Sequence, residues 1–204
     1  VVVRTRSSEQ GRFYEVATDN ELRAVRQAAA ELERKKKLHV GPLSLVPDEK
    51  ISLNEIRRIS VPIYGITYWC DMFTQRQLLA LTNLASLVGK VCPDGDVEFV
   101  NAVKTILALA INKQADLGCA LTRWKQDAEC PVNLFGRQAI GMVWDFAEAV
   151  VTSDSSGSWV SMFERTAYAI ECLAGHFTTT GRTVQCSAAK HVLPSDSADA
   201  VITD

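Results

Sequence analysis

The sequence predicts a mainly α-helical fold, a bundle of about five to six helices with short β-strands towards both ends. Apolar residues recur at helical spacing through most of the chain, and a Ser or Thr followed three residues later by Glu or Gln marks several helix starts. The 204 residues, of which 47% are hydrophobic, are enough for a core that needs no disulfide or metal.

The first half of the chain alternates helices with breaks. Residues 1–17 have a strand-like character, and the capping-box pattern of Thr18–Glu21 predicts a helix that ends in the basic run Arg34–Lys37. Residues 38–51 contain a glycine and two prolines, which predicts a loop. A short helix should then begin at Ser52 and run through Arg57 and Arg58.

Four more helices are predicted after residue 73. A capping box at Thr74–Gln77 begins one that reaches Gly89. Another continues from Val97 towards Trp124 with apolar residues spread widely around its axis, which is typical of a central helix in a bundle. The remaining two should cover 135–150 and 158–175.

Two short strands, Thr183–Cys186 and Ala198–Ile202, are predicted after the last helix. We therefore divide the chain into a strand-like segment 1–17, a helical domain 18–177 and an αβ segment 178–204. Because β-branched runs lie at both ends, we expect a segment excised from a longer protein, and the alternative is a complete small domain with two edge strands.

Composition excludes several function classes. A formal charge of −2 argues against a surface that binds nucleic acid or acidic lipid everywhere, but it permits a local basic patch. The longest uncharged apolar stretch, Thr105–Asn112, is far shorter than the ~20 residues of a membrane span. Six cysteines without a C-x-x-C pair indicate a reducing, cytoplasmic setting, and the three histidines lack metal-ligand spacing.

Few residues carry a recognisable chemical pattern. The chain has no nucleophile elbow, P-loop or complete dinucleotide fingerprint. Asp145 and Glu148 lie three apart on a predicted helix, where a solvated or capping pair is favoured over a working carboxylate pair. A terminal strand ending in Asp204 would place its carboxylate at the carboxyl edge of a sheet, where open α/β folds bind ligands.

Several segments together resemble one family. Tyr64–Leu81 is similar to a signature segment of the adenine-specific DNA methylases that contain a zinc ribbon, and Arg137–Ile140, Met142–Glu148 and Ser155–Trp159 are also similar to that family. The tail Asp199–Asp204 resembles the approach to the Asp-Pro-Pro-Tyr loop of amino-methyltransferases that use S-adenosylmethionine. The resemblance extends from about Phe13 to Asp204.

The resemblance implies a piece of an α/β methyltransferase, with the helices inserted between its cofactor-binding and catalytic halves. It assigns Asp204 as the first residue of the catalytic loop and Ser187 to the position after the cofactor's adenine strand. An acceptor such as Asp204 would make the delocalised exocyclic nitrogen of adenine a better nucleophile. The family's glycine loop and zinc ribbon have no counterpart here, so we expect this chain to bind no S-adenosylmethionine and to transfer no methyl group by itself.

Two functional hypotheses follow. In the first, the helices help the parent enzyme recognise DNA, and the partners are DNA and the remaining halves of the methyltransferase. The candidate phosphate contacts are Arg34, Lys35, Lys36, Lys37, Arg57, Arg58, Arg76, Arg123 and Arg137, although a solvated helix end is the favoured interpretation of Arg34–Lys37. In the second, the chain is a helical scaffold that binds a protein through exposed apolar residues such as Tyr68, Trp69 and Phe73.

Overall fold

The protein is helix-rich with two small antiparallel sheets. The computed structural model describes residues 1–6, 9–136, 138–176, 179, 181, 183–187, 189–190, 192–200 and 202. These residues contain four α-helices, fewer than the five to six expected. The chain divides by its contacts into two units, Val1–Ala169 and Ile170–Asp204. The predicted domain boundaries stay predictions.

The first unit begins with a hairpin. Strand β1 (Val2–Arg6) pairs antiparallel with β2 (Glu9–Glu15), in agreement with the strand-like character of this segment. Helix α1 (Asp19–Leu38) follows, and the Thr18 N–H donates to the Glu21 carboxylate over 2.8 Å at its start, as the capping-box pattern predicts. Arg4 pairs with both Glu15 and Glu21, which ties the hairpin to the beginning of α1.

Helices α1, α2 (Gln75–Lys90) and α3 (Val97–Leu117) pack in sequence order. The predicted start of α2 is confirmed, because Thr74 and Gln77 exchange two hydrogen bonds of 2.8 and 3.2 Å. Leu32 of α1, Leu78 of α2 and Val46 of the intervening loop form a buried group, which we call the helix-side core. Regular helices therefore build one side of this unit.

A second buried group has a different construction. It consists of Ile51, Val61, Met72, Cys119, Leu121 and Ile140, and we call it the pocket-side core because its last two residues line a surface pocket. Among the described residues of 51–72, regular structure is limited to short 3₁₀ turns, at Leu53–Glu55, Val61–Tyr64 and Trp69–Met72. The predicted helix beginning at Ser52 is thus a single tight turn followed by an irregular chain.

The prediction that the helix from Val97 continues towards Trp124 is wrong. Helix α3 ends at Leu117, where Gly118 follows, and the chain then enters strand β3 (Arg123–Lys125). Strand β3 pairs antiparallel with β4 (Cys130–Val132), so Arg123 lies on a hairpin. The apolar spacing that predicts this helix extends only to Ala110, and Cys119 and Leu121 beyond Gly118 instead pack into the pocket-side core.

The prediction of a helix over 135–150 is also wrong. The described residues of this range form an irregular chain. The Ile140 N–H donates to the Arg58 carbonyl over 2.6 Å, and the Ala147 N–H donates to the Thr122 carbonyl over 2.9 Å. These backbone groups bond to distant segments and not to the residue four positions earlier, as a helix requires. Asp145 and Glu148 consequently share no helix face.

The last helix is confirmed as α4 (Trp159–Leu173). Beyond it, the predicted strand at 183–186 is absent, and residues 198–200 and 202 of the second predicted strand are irregular, with 201 outside the described residues. A strand needs a paired neighbour, and the described residues of this unit provide none. None of the described helices combines the length and apolar character that a bilayer crossing requires.

Candidate nucleic-acid interface

Three of the predicted phosphate-binding arginines line one pocket of about 440 Å³ in the first unit. Arg57, Arg58 and Arg123 supply its charge. Apolar side chains, including Leu121 and Ile140 of the pocket-side core, also line it. We call this site the arginine pocket. It lies on loops and a hairpin, and not on the helices to which the sequence assigned DNA recognition.

Backbone hydrogen bonds hold Arg57 and Arg58 at the pocket. The Glu55 carbonyl accepts from the N–H groups of Arg58 and Ile59, both over 2.8 Å, which closes a turn around Arg57. The next residues pair with Ile140: its N–H donates to the Arg58 carbonyl, and its carbonyl accepts from the Ser60 N–H over 3.0 Å. This bridge holds segment 57–60 against segment 139–141, and both segments line the pocket.

Arg123 reaches the same pocket from β3, opposite Val132 of β4. Its guanidinium lies against Gly136, because a Cβ atom built on that glycine would be 2.9 Å from Nη2 of Arg123. A glycine at 136 therefore leaves the space that the guanidinium occupies. Gly141 lines the pocket as well, and a Cβ atom there would have nothing within 4 Å.

Asp116, near the end of α3, anchors the wall that contains Gly136. Its backbone carbonyl accepts from the Leu134 N–H over 3.2 Å, and its carboxylate accepts from the Phe135 N–H over 3.1 Å. The other carboxylate oxygen accepts from Lys113 over 2.8 Å. Asp116 is buried, and its bonds to the N–H groups of Leu134 and Phe135 fix the path of residues 134–136.

The arginine pocket is a local positive site on a chain with a formal charge of −2. No acidic side chain belongs to the described lining, and none of the ion pairs between described residues uses Arg57, Arg58 or Arg123. All three side chains are exposed. A guanidinium presents a rigid fork of N–H donors that suits phosphate oxygens, so three of them can bind a polyanion together.

Comparisons of the chain with models of protein families, with curated proteins and with solved structures find no match.

The other predicted basic residues are placed differently. Arg34 pairs with Glu31 over 2.7 Å and Lys36 pairs with Glu33 over 2.8 Å on α1. The hydrogen bond from Arg34 lowers the pKa of the Glu31 carboxyl below its usual value. These pairs favour a solvated helix end for Arg34–Lys37, and none of its four residues is part of the described pocket lining.

Arg76 is engaged in a structural contact. It pairs over 2.8 Å with Glu148, which also accepts a hydrogen bond of 3.4 Å from the Thr74 hydroxyl. The pair ties the start of α2 to the irregular segment after the pocket. Arg137 lies outside the described residues, and its chain neighbour Gly136 lines the arginine pocket.

The residues carried over from the methylase resemblance belong to the last part of the chain. Asp204 lies outside the described residues. Ser187 is exposed and accepts hydrogen bonds in a local turn, from the N–H groups of Ala189 and Lys190 over 3.3 and 2.9 Å. Every described residue from 179 onwards is exposed. The described residues around Ser187 therefore do not fit an adenosyl group, because they give it no enclosed surface.

Two cysteines of the first unit, Cys119 and Cys70, have structural surroundings. Cys119 is fully buried in the pocket-side core, where burial raises the pKa of its thiol, and its sulfur lies 3.4 Å from the Thr122 hydroxyl. Burial also raises the pKa of the Cys70 thiol. Such thiols are poor nucleophiles. Among the described side chains, no group of three His, Cys, Asp or Glu residues is arranged to hold a metal ion.

The sequence did not identify Asp116 and Gly136 as part of the site. A Lys113-x-x-Asp116 pair at the end of a helix is an ordinary surface pattern, and only the fold shows that the carboxylate points to a loop. The apolar residues proposed to bind a protein partner differ in their exposure. Tyr68 is exposed, whereas Trp69 and Phe73 pack against the pocket-side core.

Proposed function

We propose that this chain binds DNA through the arginine pocket, as the helical target-recognition region of an N6-adenine DNA methyltransferase of the family it resembles. The observation that carries the proposal is the convergence of Arg57, Arg58 and Arg123 on one pocket without an acidic partner among the described residues. An uncompensated group of guanidinium ions on an otherwise acidic chain favours a polyanionic ligand.

The lining of the pocket supports the proposal. Leu121 and Ile140 line it and belong to the pocket-side core, so buried residues hold the segments that carry the arginines. A guanidinium forms charge-assisted hydrogen bonds with phosphate that are often bidentate. The arginine pocket would therefore hold and orient the DNA backbone, and sequence readout would fall to other contacts.

Methyl transfer belongs to the parent enzyme in this proposal. S-adenosylmethionine would supply the methyl group there, and Asp204 would accept a hydrogen bond from the adenine amino group. The described residues around Ser187 do not fit the cofactor, so Asp204 is the one residue of this chain to which we assign a part in the transfer. We expect the purified chain to transfer no methyl group to adenine-containing DNA, and transfer by the purified chain would contradict this expectation.

The DNA-binding proposal can be tested by the salt dependence of binding. The affinity of the purified chain for a short duplex should fall linearly with the logarithm of salt concentration, with a slope of about −0.9 for each neutralised phosphate. Arg57→Ala, Arg58→Ala and Arg123→Ala should each weaken binding and reduce that slope by roughly 1. Arg26→Ala is the matched control, because Arg26 is an exposed arginine of α1 outside the pocket lining.

Three results would contradict the proposal. The first is the absence of salt-dependent binding by the wild-type chain. The second is an effect of Arg26→Ala equal to that of the pocket variants, which would indicate a general charge effect and no site. The third is a stable dimer that binds no DNA, which would favour the helical scaffold.

A further inference from the structure

An exposed pair of aromatic rings adjoins the arginine pocket in the chain. The rings of Tyr64 and Trp144 are perpendicular, with centroids 5.5 Å apart. Trp144 directly follows Val143, and Tyr64 closes the 3₁₀ turn that begins one residue after Ser60. Val143 and Ser60 both line the pocket.

The two rings are unusually exposed for large aromatic side chains. Trp144 is 77% exposed and Tyr64 is 50% exposed, although each ring has a large apolar surface. The contact between the rings buries little of their surface, because an edge-to-face pair leaves most of one ring face open. Both rings therefore keep apolar surface that is open to a ligand.

We propose that Tyr64 and Trp144 form a stacking platform for an unpaired nucleobase, so that the preferred ligand of this site is single-stranded DNA. This inference rests on the proposed DNA-binding function. Arginines that hold phosphates beside aromatic rings that stack bases are the combination by which proteins bind unpaired strands. A base within an intact duplex stacks on its neighbours and cannot reach such a surface.

The charges beside the rings favour a base over a phosphate at the platform. Asp145, the next residue after Trp144, is exposed and carries a carboxylate. A backbone phosphate near that carboxylate is repelled, whereas an uncharged base is not. The arginine pocket and the platform would thus hold different parts of one nucleotide chain: phosphates at Arg57, Arg58 and Arg123, and a base at Trp144.

The test compares two labelled oligonucleotides of equal length and charge. One is a single-stranded 12-mer with all its bases, and the other is a 12-mer of abasic spacers. Stacking of one base predicts roughly 5- to 150-fold tighter binding of the first. Trp144→Ala should bring its affinity close to that of the abasic strand, and Tyr64→Ala should have a smaller effect in the same direction. Trp144→Phe, which keeps a ring, should retain most of the preference.

Controls separate the platform from the phosphate site. Tyr168→Ala removes a tyrosine of α4 that is 68% exposed and is outside the pocket lining, so it should leave both affinities unchanged. Arg123→Ala should weaken binding of both strands by a similar factor, because it removes a phosphate contact. Far-UV circular dichroism of each variant confirms that it is folded before its binding is compared.

The outcomes distinguish this inference from the function on which it rests. Equal wild-type affinities for the two strands would overturn the platform and leave phosphate binding in place. A preference that persists in Trp144→Ala and Tyr64→Ala would also overturn it, since the bases would then stack elsewhere. Failure of both strands to bind to a chain that binds the duplex would overturn the platform alone. Failure of the two strands and the duplex would overturn the proposed function and this inference together.

Discussion

The two cores of the first unit are built in opposite ways. The helix-side core joins α1 and α2, whose ends are capped by neighbouring residues such as Thr74 and Gln77. The pocket-side core joins irregular segments whose hydrogen bonds connect distant residues, such as the Ala120 N–H to the Met72 carbonyl over 2.7 Å. The shape of the arginine pocket therefore depends on long-range contacts, and damage to the pocket-side core should alter binding as well as stability.

Leu121→Ala and Leu32→Ala should show the largest effects and separate the two cores. Leu121 is 1% exposed and Leu32 is fully buried, so each substitution should lower the free energy of unfolding by about 2–5 kcal/mol. Only Leu121 lines the arginine pocket. Chemical denaturation measures the stability loss, and DNA affinity is then measured below the unfolding transition of both variants. We expect Leu121→Ala to weaken DNA binding and Leu32→Ala to leave it unchanged. Equal weakening by the two variants would contradict the idea that only the pocket-side core shapes the arginine pocket.

Asp116→Ala should have the next largest effect, because it removes the acceptor for the Phe135 N–H at the pocket wall. Leaving such a group without its partner costs about 1–3 kcal/mol. Amide hydrogen exchange should accelerate at Phe135 and Leu134. Lys113→Ala removes only the partly exposed ion pair of Asp116 and should cost under about 1 kcal/mol. Unchanged exchange at Phe135 in Asp116→Ala would show that the anchor is unimportant.

The regular side of the molecule could be predicted from the sequence, and the irregular side could not. The starts of α1, α2 and α4 are encoded by a polar residue at the cap and an apolar stripe after it, which are signals contained within a few residues. In 135–150 the apolar spacing is nearly helical, but Gly136 and Gly141 weaken a helix and Ile140 pairs with Arg58 instead. Tertiary pairing of this kind leaves no local pattern.

The candidate site shows the same limit. The sequence includes Arg57, Arg58 and Arg123 among nine basic candidates, but nothing in it indicates that these three meet. Their convergence depends on the pairing of Ile59 with Ile140 and on the space at Gly136. The pairing of Tyr64 with Trp144 likewise joins residues eighty positions apart, beyond the reach of any periodicity.

Gly136→Ala should alter DNA binding with little change in stability. The added methyl group would meet the end of the Arg123 side chain, which is flexible and can move, so the guanidinium should shift while the backbone stays in place. DNA affinity should fall by less than in Arg123→Ala, because no charge is lost. Gly141→Ala is the matched control. Gly141 lines the same pocket and has nothing within 4 Å of its Cβ position, so the DNA affinity of this variant should equal that of the wild type.

Protonation of Glu21, at the start of α1, should have the smallest effect on stability, and that effect should appear only at acidic pH. Hydrogen bonds from the Thr18 hydroxyl and backbone, with a lesser one from Arg4, lower the pKa of Glu21 from 4.5 to about 2. Its contribution to stability is therefore complete above pH 4.5 and is lost as the pH falls towards 2.

Carboxyl NMR titration should show a larger upward change in the pKa of Glu21 for Thr18→Ala than for Arg4→Ala, because the Thr18 hydroxyl makes the largest contribution. Glu21→Gln should flatten the dependence of stability on pH in this acidic range. Acid should therefore weaken the start of α1. A measured pKa near 4.5 for Glu21 in the wild-type chain would show that the hydrogen bonds from Thr18 do not stabilise the Glu21 carboxylate. The capping box would then not stabilise the start of α1.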